Sequence, residues 1–231
     1  MITGHTRSFT LAIEGSTYEG SVALLTDSAL IADRSVHRDQ PSPGQKADRL
    51  MPAIAECLEE AGVVRGEIKR IVCGAGPGSF TSLRIAGSVA KGLAVGYGVH
   101  LFAVPSLILT VTGAQPPLAA GEYLSILDAM RGEFFAARVR LEANGNAQQT
   151  ESTVILSAGQ LTDRSARDGA ARVIGPGQQI DAHPQARGIA GMLPSILESG
   201  PVDLASWEPD YGRLAEAQVR WEATHGRKLT T

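Results

Sequence analysis

The sequence predicts a mixed α/β protein made of two related halves, each built on a mixed sheet. Three observations support this. The chain opens on three β-rich segments joined by short turns, as an antiparallel meander does. Apolar strands then alternate with helical stretches, which calls for crossover connections on the faces of a sheet. After residue 120 a strand-strand-strand-helix-strand order restarts in reduced form, with little identity between the halves.

Residues 8–13 alternate and then turn apolar, and Gly15-Ser16-Thr17 makes a turn. Residues 21–26 and 29–37 are the next two strands, rich in β-formers. Two prolines and a glycine make 39–44 a loop. Leu50, Met51, Ile54, Cys57, Leu58 and Ala61 recur at helical spacing, so 45–61 reads as a helix ended by Gly62. Pro52 lies inside it and predicts a kink. Residues 70–75 form a short buried strand, Gly76-Pro77-Gly78 turns the chain, and Ser79 or Thr81 can cap a helix running to Tyr97. Strand 100–104 and a helix from Pro105-Ser106 to Gly113 follow. In the second half, 123–129, 133–141 and 150–156 read as strands, with Asn144-Gly145-Asn146 as a turn. Residues 157–164 are a short helix, 172–174 a strand, and helical patterns return at 189–199 and 210–226. The expected division is 1–107 and 108–231, with helix 210–226 packing back on the first half.

Composition excludes several classes. Of 231 residues, 43% are hydrophobic and 19% charged, an ordinary globular balance rather than that of a disordered chain. The net charge of −3 and the 5% of aromatic residues argue against a main nucleic-acid clamp or a base-stacking platform. No apolar run approaches a membrane span, and the polar first ten residues predict no signal peptide. Cys57 and Cys73 are too few for a disulfide scaffold and read as reduced thiols of a cytoplasmic protein. The five histidines include no pair at i, i+4, so a helical HxxxH metal site is absent.

Some constellations could still carry chemistry. Gly15-Ser16-Thr17, the 74–79 turn and Gly175-Pro176-Gly177 could each cradle phosphate on exposed N–H groups. The second lacks the Lys of a P-loop and breaks the GxGxxG spacing. Equally, these glycines could simply let a strand turn sharply. Ser79 follows a glycine but lacks the Gly-x-Ser-x-Gly elbow of a serine nucleophile. Glu14 and Asp128 end the first strand of each half, where paired acids could hold a cation or each form its own turn. The helix after Ser79 contains Gly87, Gly92 and Gly96, which together cost about 2–3 kcal/mol relative to alanine. Its small-residue face, with Ala86, Gly87, Ala90 and Ala94, could pack on the chain's own sheet or on another protein. Arg213, Arg220 and Arg227 recur every seven residues, as a solvated face or as a docking stripe for RNA or an acidic partner.

Residues 12–25 (AIEGSTYEGSVALL), 76–84 (GPGSFTSLR), 90–94 (AKGLA), 128–135 (DAMRGEFF) and 209–213 (PDYGR) together resemble the bacterial tRNA threonylcarbamoyladenosine biosynthesis protein TsaB (YeaZ) family. The resemblance implies an actin-like ATPase (ASKHA, ribonuclease H-like) fold with two related halves. It implies a non-catalytic partner of TsaD, which transfers threonylcarbamoyl to the adenosine next to the anticodon of tRNA. The ATPase TsaE joins that complex, and tRNA is met indirectly through it. No cofactor of its own is implied; ATP or ADP and a metal ion belong to the TsaD and TsaE partners. An independent ATP-dependent phosphotransferase of the same fold is the alternative. By the same resemblance, the first-half helices form the heterodimer surface with TsaD, and also homodimers. The residues this assigns are Leu50, Ile54, Leu83, Arg84, Ala86, Gly87, Ala90, Lys91 and Ala94. Gly15, Ser16 and Thr17 are the nucleotide-contact candidates, weakened because Glu14 stands where the family usually has Asp. Ser82 replaces the usual glycine of GPGSFTGLR, and Lys46-Ala47-Asp48 replaces a frequent His-Ser-Glu.

Overall fold

The protein is described from a computed structural model covering residues 7–36, 49–167, 172–213 and 224. Strand β1 (Phe9–Glu14) is buried along its whole length because it lies at the centre of the first sheet. It pairs antiparallel with β2 (Gly20–Leu25), which pairs antiparallel with β3 (Leu30–Val36). On its other side β1 pairs parallel with β4 (Ile68–Gly74), and β4 with β5 (His100–Val104), giving the order β3-β2-β1-β4-β5. The parallel pairs are reached through helices α1 (Leu50–Glu60) and α2 (Phe80–Tyr97), as crossover connections require.

The alternation of a strand sorts its side chains onto two faces. Phe9, Leu11, Ile13, Val22, Leu24, Ile71 and Cys73 meet α1 and α2. Ala12, Ala23, Leu25 and Val72 face the other way, into a core shared with the second sheet. Between the sheets lies α3 (Ser106–Thr112), a seven-residue helix buried from Ser106 to Val111.

The second sheet repeats the opening order. β6 (Gly121–Asp128) pairs antiparallel with β7 (Glu133–Leu141) in a register that sets Gly121 opposite Leu141. β7 takes two further partners, β8 (Ala147–Gln149) and β9 (Val154–Ser157). After α4 (Ala158–Arg167), β10 (Arg172–Gly175) returns parallel to β6, and β11 (Ile180–Asp181) parallel to β10. A 3-10 turn at Ala186–Ile189 and helix α5 (Leu193–Glu198) complete the described elements. No described helix is long and apolar enough to cross a membrane.

Several expectations need correction. Helix α1 begins at Leu50, so Pro52 falls in its first turn, where no intrahelical N–H is needed and no kink follows. Ser79 holds the N-cap position of α2, but its side chain makes no capping bond. The expected strand 150–156 forms only from Val154, as β9; a separate strand, β8, ends at Gln149, and residues 150–153 break the pairing with β7 between the two. There the Glu151 carboxylate takes the Arg138 N–H at 2.9 Å, in place of a ladder carbonyl, and pairs with Arg164. Residues 189–199 are not one helix, because helix α5 starts only at Leu193. Loop 39–44, the start of helix 45–61 and most of helix 210–226, with Arg220 and Arg227, lie outside the described residues.

The break offers a direct check. Glu151→Ala should lower stability by about 1–2 kcal/mol in urea unfolding, because the Arg138 N–H loses its acceptor. Unchanged stability would mean that another group takes that N–H.

Candidate functional site at the converging glycine turns

The site sits where β1 and β4 end and α2 and α3 begin. Glu14, the last residue of β1, is fully buried. Its Oε1 accepts the Ser16 N–H at 2.6 Å, and its Oε2 accepts the Ser106 hydroxyl at 3.0 Å. Ser106 Oγ in turn accepts the Gly76 N–H at 3.0 Å, and the Ser106 N–H reaches the Gly76 carbonyl at 2.8 Å. Only a glycine fits at position 74, since a Cβ there would collide with the Glu14 carboxylate. The two glycine turns lock together through Ser79, whose N–H donates to the Ser16 carbonyl at 2.7 Å. Burial pushes the Glu14 carboxyl above its ordinary value, against the hydrogen bonds that favour its charge. Burial, with a smaller push from Glu14, also raises the neighbouring Cys73 thiol, and burial takes Cys57 to about 11. Both cysteines are free.

Residues 207–213 form a strap across this locus. The Asp210 N–H donates to the Ala75 carbonyl at 2.7 Å, and Gly76, at φ +88°, lies directly under the Asp210 carbonyl. Lys91 Nζ donates to the Trp207 carbonyl at 2.7 Å. Pro209 rests on Gly87, Gly212 on Phe135 and Pro77, and Arg213 pairs with Glu133. The Tyr211 ring stands 4.6 Å from that of Phe80, and the Arg84 guanidinium lies 5.5 Å over the other aromatic partner, Phe80. Thus the stretches 12–17, 76–84, 90–94, 128–135 and 209–213, scattered along the sequence, meet in one place.

The first turn does not fit a phosphate in this arrangement. The Ser16 N–H that would grip an anion already donates to a Glu14 carboxyl oxygen, so that donor is not available to a phosphate. The Thr17 hydroxyl is spent on Glu19, donating to its carbonyl at 2.8 Å and accepting its N–H at 3.2 Å. Glu14 and Asp128 each serve their own turn, since the Asp128 carboxylate accepts the Met130 N–H at 2.7 Å. Among the described residues no group of three His, Cys, Asp or Glu side chains is placed to hold a metal ion. Of the described histidines, His100 begins β5 and His183 stands 3.7 Å from Glu19; neither bonds Ser79.

The helix residues assigned to a partner surface are mostly internal. Leu50, Ile54, Leu83, Ala86, Gly87, Ala90 and Ala94 are buried in the chain's own core, and Lys91 is tied to the strap. The small side chains of α2 on this side admit the β1 turn, where a Cβ at Gly15 would come within 2.6 Å of the Ala86 Cβ. Arg84 alone of the set is exposed. The outward face of α2 consists instead of Arg84, Ser88, Gly92, Val95 and Gly96. Spacing alone missed it because α2 carries small residues on both faces; the signal was the Ser88, Gly92, Gly96 repeat at i, i+4, i+8.

Residues 44–174 match the family model of TsaD, tRNA N6-adenosine threonylcarbamoyltransferase. The tRNA threonylcarbamoyladenosine biosynthesis protein TsaB of Escherichia coli (strain K12) is 31% identical over 146 residues, which span 62% of this chain and 61% of the relative. TsaB of Bacillus subtilis (strain 168) is 28% identical over 230 residues, spanning 91% of this chain and 96% of the relative. The solved structure of YeaZ from Pseudomonas aeruginosa superposes with a TM-score of 0.72 at 24% identity, covering 88% of this chain and 99% of that one. The fold is therefore that of the YeaZ structure, two mixed sheets in sequence, and it is consistent with the actin-like fold that the resemblance implies. With a family model matched over more than half of the chain, the chain belongs to the TsaD-like family, and within it the chain is similar to the proteins named TsaB and YeaZ.

Proposed function

We propose that this chain acts in tRNA threonylcarbamoyladenosine biosynthesis as a non-catalytic subunit that docks on a TsaD-class transferase. The observation that carries this reading is the closed first turn: Glu14 occupies the amide that a nucleotide phosphate would need. A chain closed in this way works by contact. Its docking face would be the outward side of α1 and α2, with Met51 44% and Val95 69% exposed and Gly92 and Gly96 open to solvent. Among the described residues nothing lies within 4 Å of a Cβ at either glycine, so their packing gives no reason for the helix to carry them. Close approach of a partner backbone would. The exposed Glu56 and Glu59 on α1 add an acidic flank, which suits a basic partner surface. A TsaE-class ATPase completes the assembly, and the transferase holds most of the tRNA, in keeping with a net charge of −3 on this chain.

Reconstitution tests this reading. The chain should co-elute with a TsaD-class subunit, and with TsaE, ATP and tRNA it should be required for the modified nucleoside while forming none alone. Calorimetry of the isolated chain with ATP should give no binding heat. Tight ATP binding without partners would overturn the reading and favour an independent phosphotransferase.

A further inference from the structure

At the far end of the first sheet from the glycine turns, beside the starts of β4 and β5, lies a cleft of about 320 Å³. Arg65, Lys69 and His100 line it, with Tyr97 and the backbone of Gly66 and Gly98. Among the described residues no carboxylate lines it. The nearest acid in sequence, Glu67, holds the Val64 N–H at 2.9 Å, and Arg70 beyond the rim pairs with Asp27. The Arg65 guanidinium stands 5.0 Å over the Tyr97 ring, a cation–π contact that holds the charge at the cleft. Lys69 Nζ donates to the Gly66 carbonyl at 2.6 Å, which anchors the ammonium while two of its three donors stay available. Among the described residues nothing lies within 4 Å of a Cβ at Gly66 or Gly98, so a ligand can reach the backbone there. A chain of net charge −3 thus gathers two fixed cations and a histidine in one concavity. Its volume is near the lower end of small-ligand sites, enough for a phosphate with an attached sugar.

We infer that this cleft binds a phosphate group, carried either by an RNA backbone or by a free nucleotide. Lys69 supplies a point charge, Arg65 a planar pair of donors, and the Gly66 and Gly98 backbone lets the phosphate approach closely. The cleft is separate from the proposed docking face of α2, so the inference stands or falls independently of the subunit reading.

The test uses the full chain with three probes at low salt: a tRNA transcript, AMP and inorganic phosphate. Lys69→Glu should weaken binding about tenfold, the worth of one charged hydrogen bond, and flatten the salt dependence of tRNA binding by about one phosphate contact. Arg140→Glu, on β7 of the second sheet, makes the same change in net charge and should alter binding less than about twofold. Lys69→Arg should recover most of the loss. Lys69 is exposed, and matching thermal melts of the variants would show that the fold is intact. Loss for tRNA alone assigns the cleft to an RNA backbone, loss for AMP and phosphate alone assigns it to a free nucleotide, and loss for all three supports both sources. Equal binding by Lys69→Glu and Arg140→Glu for every probe overturns the inference, as does a wild-type chain that binds none of them.

Discussion

Glu14→Ala should lower the stability of the chain by about 2–4 kcal/mol in urea unfolding, while Glu14→Gln stays close to the parent. The difference follows from what each substitution leaves behind. Alanine strands the Ser16 N–H and the Ser106 hydroxyl without their acceptor, in a site fully shut from water, and opens a void against Gly74. Glutamine keeps the shape and an oxygen for Ser16, and its amide can donate to Ser106 Oγ. The pair also separates the role of charge from that of shape. Burial raises the Glu14 carboxyl above its ordinary value of 4.5, so the folded chain holds that proton to higher pH than the unfolded chain does. The contribution is full below the unfolded value and is lost as pH rises through the folded one. The difference in stability between Glu14→Gln and the parent should therefore move in favour of glutamine as pH rises from about the unfolded value upward. A difference that is flat with pH would show that the carboxyl is not raised. Equal stability of the alanine variant would show that the lock between the glycine turns contributes little.

How much of this was legible beforehand depended on how local each cause is. Strands 100–104 and 133–141 were readable to the residue because their apolar runs end at turn residues. The restarted order in the second half was readable for the same reason. The break in strand 150–156 was not. It arises from the Glu151 side chain bonding a backbone N–H thirteen residues away, and periodicity carries no trace of such a bond. Glu14 is a sharper case. A lone acid at a strand end reads as a turn former, and it does bond its own turn at Ser16. Its burial, however, needs Ser106, ninety-two residues on, to close over it. The strap behaves alike. PDYGR was visible as a motif, but its place against Ala75, Gly76, Gly87 and Phe135 follows only from the fold. Both faces of α2 show small-residue repeats in sequence, and which of them turns inward is decided by residues on other segments, Gly15 and Pro209.

Two glycines of α2 should respond in opposite ways to the same substitution. Gly92→Leu should leave the isolated chain folded and raise its stability by about 0.8 kcal/mol, since leucine is the better helix former and, among the described residues, nothing lies within 4 Å of the new Cβ. The same variant should lose co-elution with a TsaD-class subunit. A bulky side chain at a close helix contact costs about 1–3 kcal/mol, on the order of ten- to a hundredfold in affinity. Gly92→Ala would report the intermediate case, gaining helix stability while adding only one methyl to the contact. Gly87→Leu should act on the fold instead. Its Cβ would meet Pro209 Cγ at 3.0 Å, so the strap must move, with Lys91 losing the Trp207 carbonyl and Arg213 its pairing with Glu133. The thermal midpoint of the chain alone should then fall, and any loss of assembly would follow from that. The two variants together separate a docking surface from a packing surface on one helix. Normal co-elution of Gly92→Leu would remove the outward face of α2 from the interface. A Gly87→Leu chain as stable as the parent would mean that the strap is not held by α2. The assignment therefore turns on direction: a partner surface is one where the chain alone improves and the complex fails, and of the three α2 glycines Gly92 and Gly96, but not Gly87, have the open space among the described residues for that outcome.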